Sequence, residues 1–139
     1  MSVKSELVIL SLTISLILCY GIAYVSYGQE SDTTERDPTQ IISEIRSLLN
    51  QTLSEYQNQN YTGASNLADE AYLENYELIE VPLKKQNDTL MGEIEVMLRE
   101  ELRDLVKTRD PITNIQQLVG MINSNLNKAD ILLAKRSSN

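Results

Sequence analysis

Carboxylates are the side chains of this sequence whose types and spacing suit chemistry. Asp69, Glu70, Glu74, Glu77 and Glu80 share one segment, and no basic residue interrupts positions 69–80. On a helix turning 100° per residue, Glu70, Glu74 and Glu77 lie within an arc of about 60°, with Glu80 at its edge. Carboxylates on one face are oxygen ligands for hard cations such as Fe(III) or Ca(II). The plainer alternative is a solvated acidic face. The next segment holds a second set. With Leu90 placed at 0°, its apolar arc runs from Met97 at about −20° to Val106 at about 160°. Glu101 at about 20° and Glu95 at about 140° fall inside that arc. A buried carboxylate without a partner is costly or is driven to protonate. Each therefore calls for a cation, a donor or an exposed edge.

Glu74, Glu77, Glu80, Glu95 and Glu101 are thus candidate metal ligands between two helices, a kind of site that helical bundles hold in their cores. The competing reading pairs the carboxylates with a base or a Tyr hydroxyl at the core edge. Arg46, Lys84, Lys85 and Arg103 are the candidate bases. Tyr56, Tyr72 and Tyr76 suit core plugs with hydroxyls at the rim. Their other roles are donors to a buried Glu or ligands of iron. Arg99-Glu100-Glu101-Leu102-Arg103 mixes signs and reads as pairing along a helix surface.

Composition narrows these readings. The 139 residues carry 20 acids and 12 bases, a formal charge of −8, with no His and a single Cys. Imidazole catalysis and His-ligated metals are excluded. So are an intrachain disulfide and a multi-Cys metal site. The acidic balance opposes nucleic-acid binding, which needs a basic face. No nucleophile–base pair or Gly-rich phosphate loop is present, so no enzyme is expected.

The elements that must position these residues follow from periodicity. Leu7–Tyr27 is 21 residues without a charge, about the length of a membrane-spanning helix. It reads as a retained anchor or as a signal peptide cut before Gln29, so residues 1–28 are a signal-anchor or a signal peptide. Lys4 before it and acids after it favour an outward C-terminus. The rest of the chain is then outside the cytoplasm, either membrane-anchored or secreted. Asn50, Asn60 and Asn87 each open an Asn-x-Thr acceptor for N-glycosylation. Residues 29–37 form a polar tether.

Residues 38–134 contain four amphipathic segments. Asp37-Pro38 opens the first with a cap and a helix-compatible proline, and Gln40 completes a capping box. Its stripe is Ile41, Ile45, Leu48, Leu49, Thr52, Leu53 and Tyr56. The second begins near Thr62-Gly63, with Leu67, Ala68, Ala71, Tyr72, Tyr76, Leu78 and Ile79, and Pro82 ends or kinks it. The third starts at Asp88 or Thr89 and runs to about Lys107. The fourth opens at Asp110-Pro111 with the cap logic of the first. Its stripe is Ile112, Ile115, Leu118, Val119, Ile122, Leu126, Ala129 and Leu133. The expected fold is all-α: the N-terminal transmembrane or signal helix, then an antiparallel up-down four-helix bundle. Residues 135–139 are a polar tail.

From the first helix onward the chain resembles the extracytoplasmic helical domain of prokaryotic high-affinity iron permeases. The matching residues are Tyr56, then Asn60-Tyr61-Thr62-Gly63-Ala64, then Tyr72-Leu73-Glu74-Asn75-Tyr76-Glu77-Leu78-Ile79-Glu80. Glu93-Ile94-Glu95-Val96-Met97-Leu98 and Leu102-Arg103 follow. The resemblance covers residues 38–134. It departs from the family in having one hydrophobic segment and no R-E-x-x-E iron motif, since Arg103 stands at the fifth position of the nearest string. The resemblance implies an accessory module of iron uptake without the permease itself. Glu74, Glu77, Glu80 and Glu95 would collect Fe(III) or Fe(II), or the domain would dock on a permease. The alternative function is a non-metal subunit of a membrane or cell-surface complex.

Overall fold

A computed structural model of the chain describes residues 36–134, which belong to one compact unit, Glu35–Asn139. The hydrophobic segment Leu7–Tyr27, most of the tether and the polar tail lie outside the described residues. Four helices account for the described part, and it contains no strand. The first is α1, Pro38–Gln57. The second joins α2 (Tyr61–Glu70), a π-helical stretch π1 (Ala71–Tyr76) and α3 (Glu77–Gln86). The third joins α4 (Asp88–Val96), π2 (Met97–Leu102) and α5 (Arg103–Thr108). The last is α6, Ile112–Ala134. No described helix is long and apolar enough to cross a membrane.

Local chemistry sets the ends. Asp37 accepts from the Thr39 N–H at 3.0 Å, which caps α1. Asn60 and Asn87 cap α2 and α4 by accepting from Gly63 and Leu90. Two of the three glycosylation candidates are therefore helix caps. Gln59 and Arg109 close the first and third helices with φ of 62° and 57°. Behind each, the next N–H reaches back five residues, Asn60 to the Glu55 carbonyl and Asp110 to that of Leu105. This is the Schellman arrangement, here without the usual glycine. The fourth helix departs from the expected cap. It begins at Ile112, and the Asp110 carboxylate takes Thr108 Oγ1 and Asn114 Nδ2 instead, each at 3.0 Å.

Pro82 does not end the second helix, which runs on to Gln86. The carbonyl it leaves without a donor is that of Leu78, four residues back. Leu78 and Val81 are 51% and 63% exposed, so water reaches that strip. Leu78 thus leaves the core face to which the periodicity assigned it. The π stretches explain why. Ala64, Ala68, Tyr72 and Tyr76 are buried at four-residue steps, as are Leu90, Ile94, Leu98, Leu102 and Val106. In a regular α-helix each such step overshoots a turn by about 40°. An i→i+5 turn holds more residues, and it returns the series to the core. Asn75, buried in π1, donates its amide to the Glu70 carbonyl at 3.1 Å.

Core contacts bind the helices to one another. Tyr76, fully buried, donates its hydroxyl to the Met91 carbonyl at 2.6 Å. Tyr56 donates to the Asp110 carbonyl at 2.6 Å, stands edge-on to Tyr61, and Arg109 lies 4.6 Å over the Tyr61 ring. Thr52 is buried without loss because its hydroxyl returns to the Leu48 carbonyl. Arg46 reaches Asn127 at 2.7 Å and Asp130 at 3.7 Å. Arg103 meets Asp69 at 2.5 Å.

Candidate functional site

The five candidate ligands part company in space. Glu80 and Glu95 are half-buried, while Glu74, Glu77 and Glu101 are exposed. Glu80, on α3, lies near enough to Glu95, on α4, to feel its charge. Burial pushes the Glu80 carboxyl above its ordinary range, and Glu95 and Glu77 add to the shift. One Glu80 carboxylate oxygen, Oε1, is shielded from solvent and has no hydrogen-bond partner. The buried Tyr72 interacts through its hydroxyl with Glu80 and Arg99. Burial first, then the surrounding carboxylates, keep that phenol protonated.

The positive charge here is Arg99, which sequence reasoning assigned to ordinary surface pairing. It donates to Glu95 at 2.6 Å and to Glu100 at 2.7 Å. Three bases expected to serve the carboxylates go elsewhere: Arg46 to the last helix, Lys84 to Asp88, and Arg103 to Asp69. Glu95 is therefore a core-edge carboxylate with a resident guanidinium. Among the described residues, no three acidic, Cys or His side chains are grouped to hold a metal ion. Tyr56 and Tyr76 spend their hydroxyls on main-chain carbonyls.

Glu101 corrects the helical arithmetic. It is exposed, not inside the apolar arc. The π2 stretch holds back the residues after Met97, so Glu101 falls outside the arc on the Met97 side. There it borders a depression of ≈ 700 Å³ between the third and last helices. Gly92, Val96, Met97 and Met121 give that depression its apolar lining, with Glu93, Ser124 and Asn125 around them. Two further depressions share its residues: one through Glu93, the other through Glu101 and Met121. Together they form a groove along both helices. Val96 and Met121 stand 40% and 51% exposed over it.

Periodicity did not mark this groove, because it sorts residues only into core and surface. One signal was present. From Ile112 to Asn127 the chain carries no charge, although much of that helix faces solvent.

No family model, curated protein or solved structure matches the chain significantly. The resemblance to the iron-permease domain stands on the quoted residues alone.

Proposed function

We propose that this chain is an interaction subunit of a membrane or cell-surface complex. Its four helices form an up-down-up-down bundle held outside the cytoplasm by Leu7–Tyr27. The contact pairs favour that topology. On the first two helices Tyr56 meets Tyr61 while Arg36 meets Glu74. Across the first and last, Tyr56 meets Asp110 while Arg46 meets Asn127. Across the middle two, Asp69 meets Arg103 while Tyr76 meets Met91. Each pair of neighbours thus runs in opposite directions. The observation that carries the functional reading is the uncharged stretch 112–127 of the last helix beside exposed Val96 and Met121. Depletion of charge with enrichment of Met is the composition of a protein interface core.

The test is retention of a companion by the full-length chain purified from its own membranes. A companion that survives chelator and is lost in Met121→Asp supports the reading. A companion lost to chelator, or unchanged by the substitution, refutes it.

A second reading rests on the unpartnered Glu80 oxygen beside Glu95. It is the collection of Fe(III) or Fe(II) for a permease, as the family resemblance implies. Calorimetric titration with Fe(III)-citrate, Fe(II) and Ca(II) decides it. Saturable binding that disappears in Glu80→Gln and in Glu95→Gln supports iron uptake. Heats no larger than those of the doubly substituted chain exclude these carboxylates as the metal site.

A further inference from the structure

The groove between the third and last helices has three properties that together specify an occupant. The first is its shape. From Thr89 to Asp104 it follows 16 residues of helix, a rise of about 22 Å at 1.5 Å per residue step. That matches a helix of roughly four turns.

The second property concerns Gly92 and Gly120. Both lie inside helices, and a Cβ built on either would meet nothing within 4 Å. A helix-interior glycine costs about 1 kcal/mol relative to alanine. Nothing within the described fold demands it at these positions. Gly63 is different, because a Cβ there would strike the Asn60 cap. Gly92 lines the groove, and its missing side chain lets another backbone approach closely.

The third property is charge. Glu93, Glu101 and Asp104 flank the groove on the third helix, and Lys128 is the one base among its lining residues. Helix-in-groove recognition buries an apolar stripe spaced i, i+3, i+4 and i+7, and its flanks meet the rim. An acidic rim selects basic flanks. A second copy of this chain would set like charges against each other. Leu7–Tyr27 has no charge to offer the rim.

We infer that this groove docks an amphipathic helix of a partner protein, with an apolar stripe and Lys- or Arg-rich flanks. The inference rests on the interaction-subunit reading and names the chemistry of the partner. The stripe packs over Gly92, Val96 and Met121, and the flanks pair with Glu93, Glu101 and Asp104.

The experiment uses the full-length chain in zwitterionic lipid nanodiscs, with empty nanodiscs as the blank. Two labelled helical peptides serve as probes. Both carry Leu at i, i+3, i+4 and i+7; one has Lys flanks and its twin has Glu. The Lys peptide should bind more tightly than its twin by about tenfold or more at low salt. The gap should narrow near 0.5 M salt, where the screening length falls to a few ångströms, roughly 4 Å. Gly92→Trp should abolish binding without lowering the melting temperature, because the position is open. Glu93→Lys combined with Glu101→Lys should reverse the preference toward the Glu peptide.

Equal binding of both peptides, blocked by Gly92→Trp, overturns the basic partner and leaves the interaction subunit standing. Binding of neither peptide up to about 100 µM overturns this occupant as well. Companion retention unchanged in both Gly92→Trp and Met121→Asp overturns the interaction subunit too. A dimer broken by Gly92→Trp in sedimentation replaces the occupant with a second copy and refutes the inference.

Discussion

Removing the Tyr76 hydroxyl tests the packing that holds the second and third helices together. Tyr76 is fully buried, and its hydroxyl donates to the Met91 carbonyl at 2.6 Å. Tyr76→Phe keeps the ring, so the cavity term stays small and the change isolates one hydrogen bond. A typical intramolecular bond contributes about 0.5–1.5 kcal/mol net. Two features place this one toward the top of that range. No water reaches a fully buried hydroxyl to replace its partner. The bond also joins residues 15 apart, next to π1, where the ladder is already irregular. The Met91 carbonyl keeps its helical donor, which keeps the cost below that of an orphaned group. The expected loss is about 1–1.5 kcal/mol. For a domain of this size that is a fall in melting temperature of roughly 4–10 °C. The assay is thermal and urea unfolding of Glu35–Asn139 followed by circular dichroism. Tyr76→Leu is the companion variant and should cost more, through lost ring volume. A Tyr76→Phe melt equal to the parent's would refute the buried hydrogen bond and the packing built on it.

Three other substitutions probe separate features. Gln59→Gly relieves a left-handed residue at φ 62° and should add about 1 kcal/mol, read as a higher urea midpoint with unchanged slope. Leu98→Ala opens the core where the third helix is fully buried and should cost about 2–5 kcal/mol in the same unfolding assay. Glu80→Gln should raise stability at neutral pH. The folded-state pKa of Glu80 lies above its ordinary value of 4.5, chiefly through burial. The folded state therefore binds that proton more tightly, and stability is lost as pH rises through the folded pKa. Melts across pH should show the gain from Glu80→Gln at neutrality and its disappearance below about pH 4.5. A gain of equal size at both ends would refute the linkage.

Much of the fold was legible because a stripe at helical spacing needs no tertiary information. Ile41, Ile45, Leu48 and Leu49 on α1, and Ile115, Ile122, Leu126 and Ala129 on α6, are buried as their periodicity requires. Asp37 marked a real helix start, since capping is a contact between near neighbours, and the second helix begins at Tyr61, one residue before the Thr62-Gly63 read from the sequence. The middle helices were less legible. Counting 100° per residue assumes an unbroken α-helix, and π1 and π2 break it. Leu78 and Glu101 were misplaced for that reason, and Asn75 was missed.

The candidate site divided along the same line. The sequence alone determined which chemistry was available: carboxylates, phenols and a few bases, without imidazole or paired thiols. It also determined that four amphipathic helices would form. Only the tertiary structure decided which carboxylates meet. It set Glu80 near Glu95 from different helices and sent Arg103 to Asp69. It also turned Glu101 out beside Met121 at the edge of a groove. The physical reason is range. Propensity, capping and periodicity act within a few residues along the chain. The partner of a half-buried charge depends on the rotation and register of a neighbouring helix, which the packing of the whole core sets.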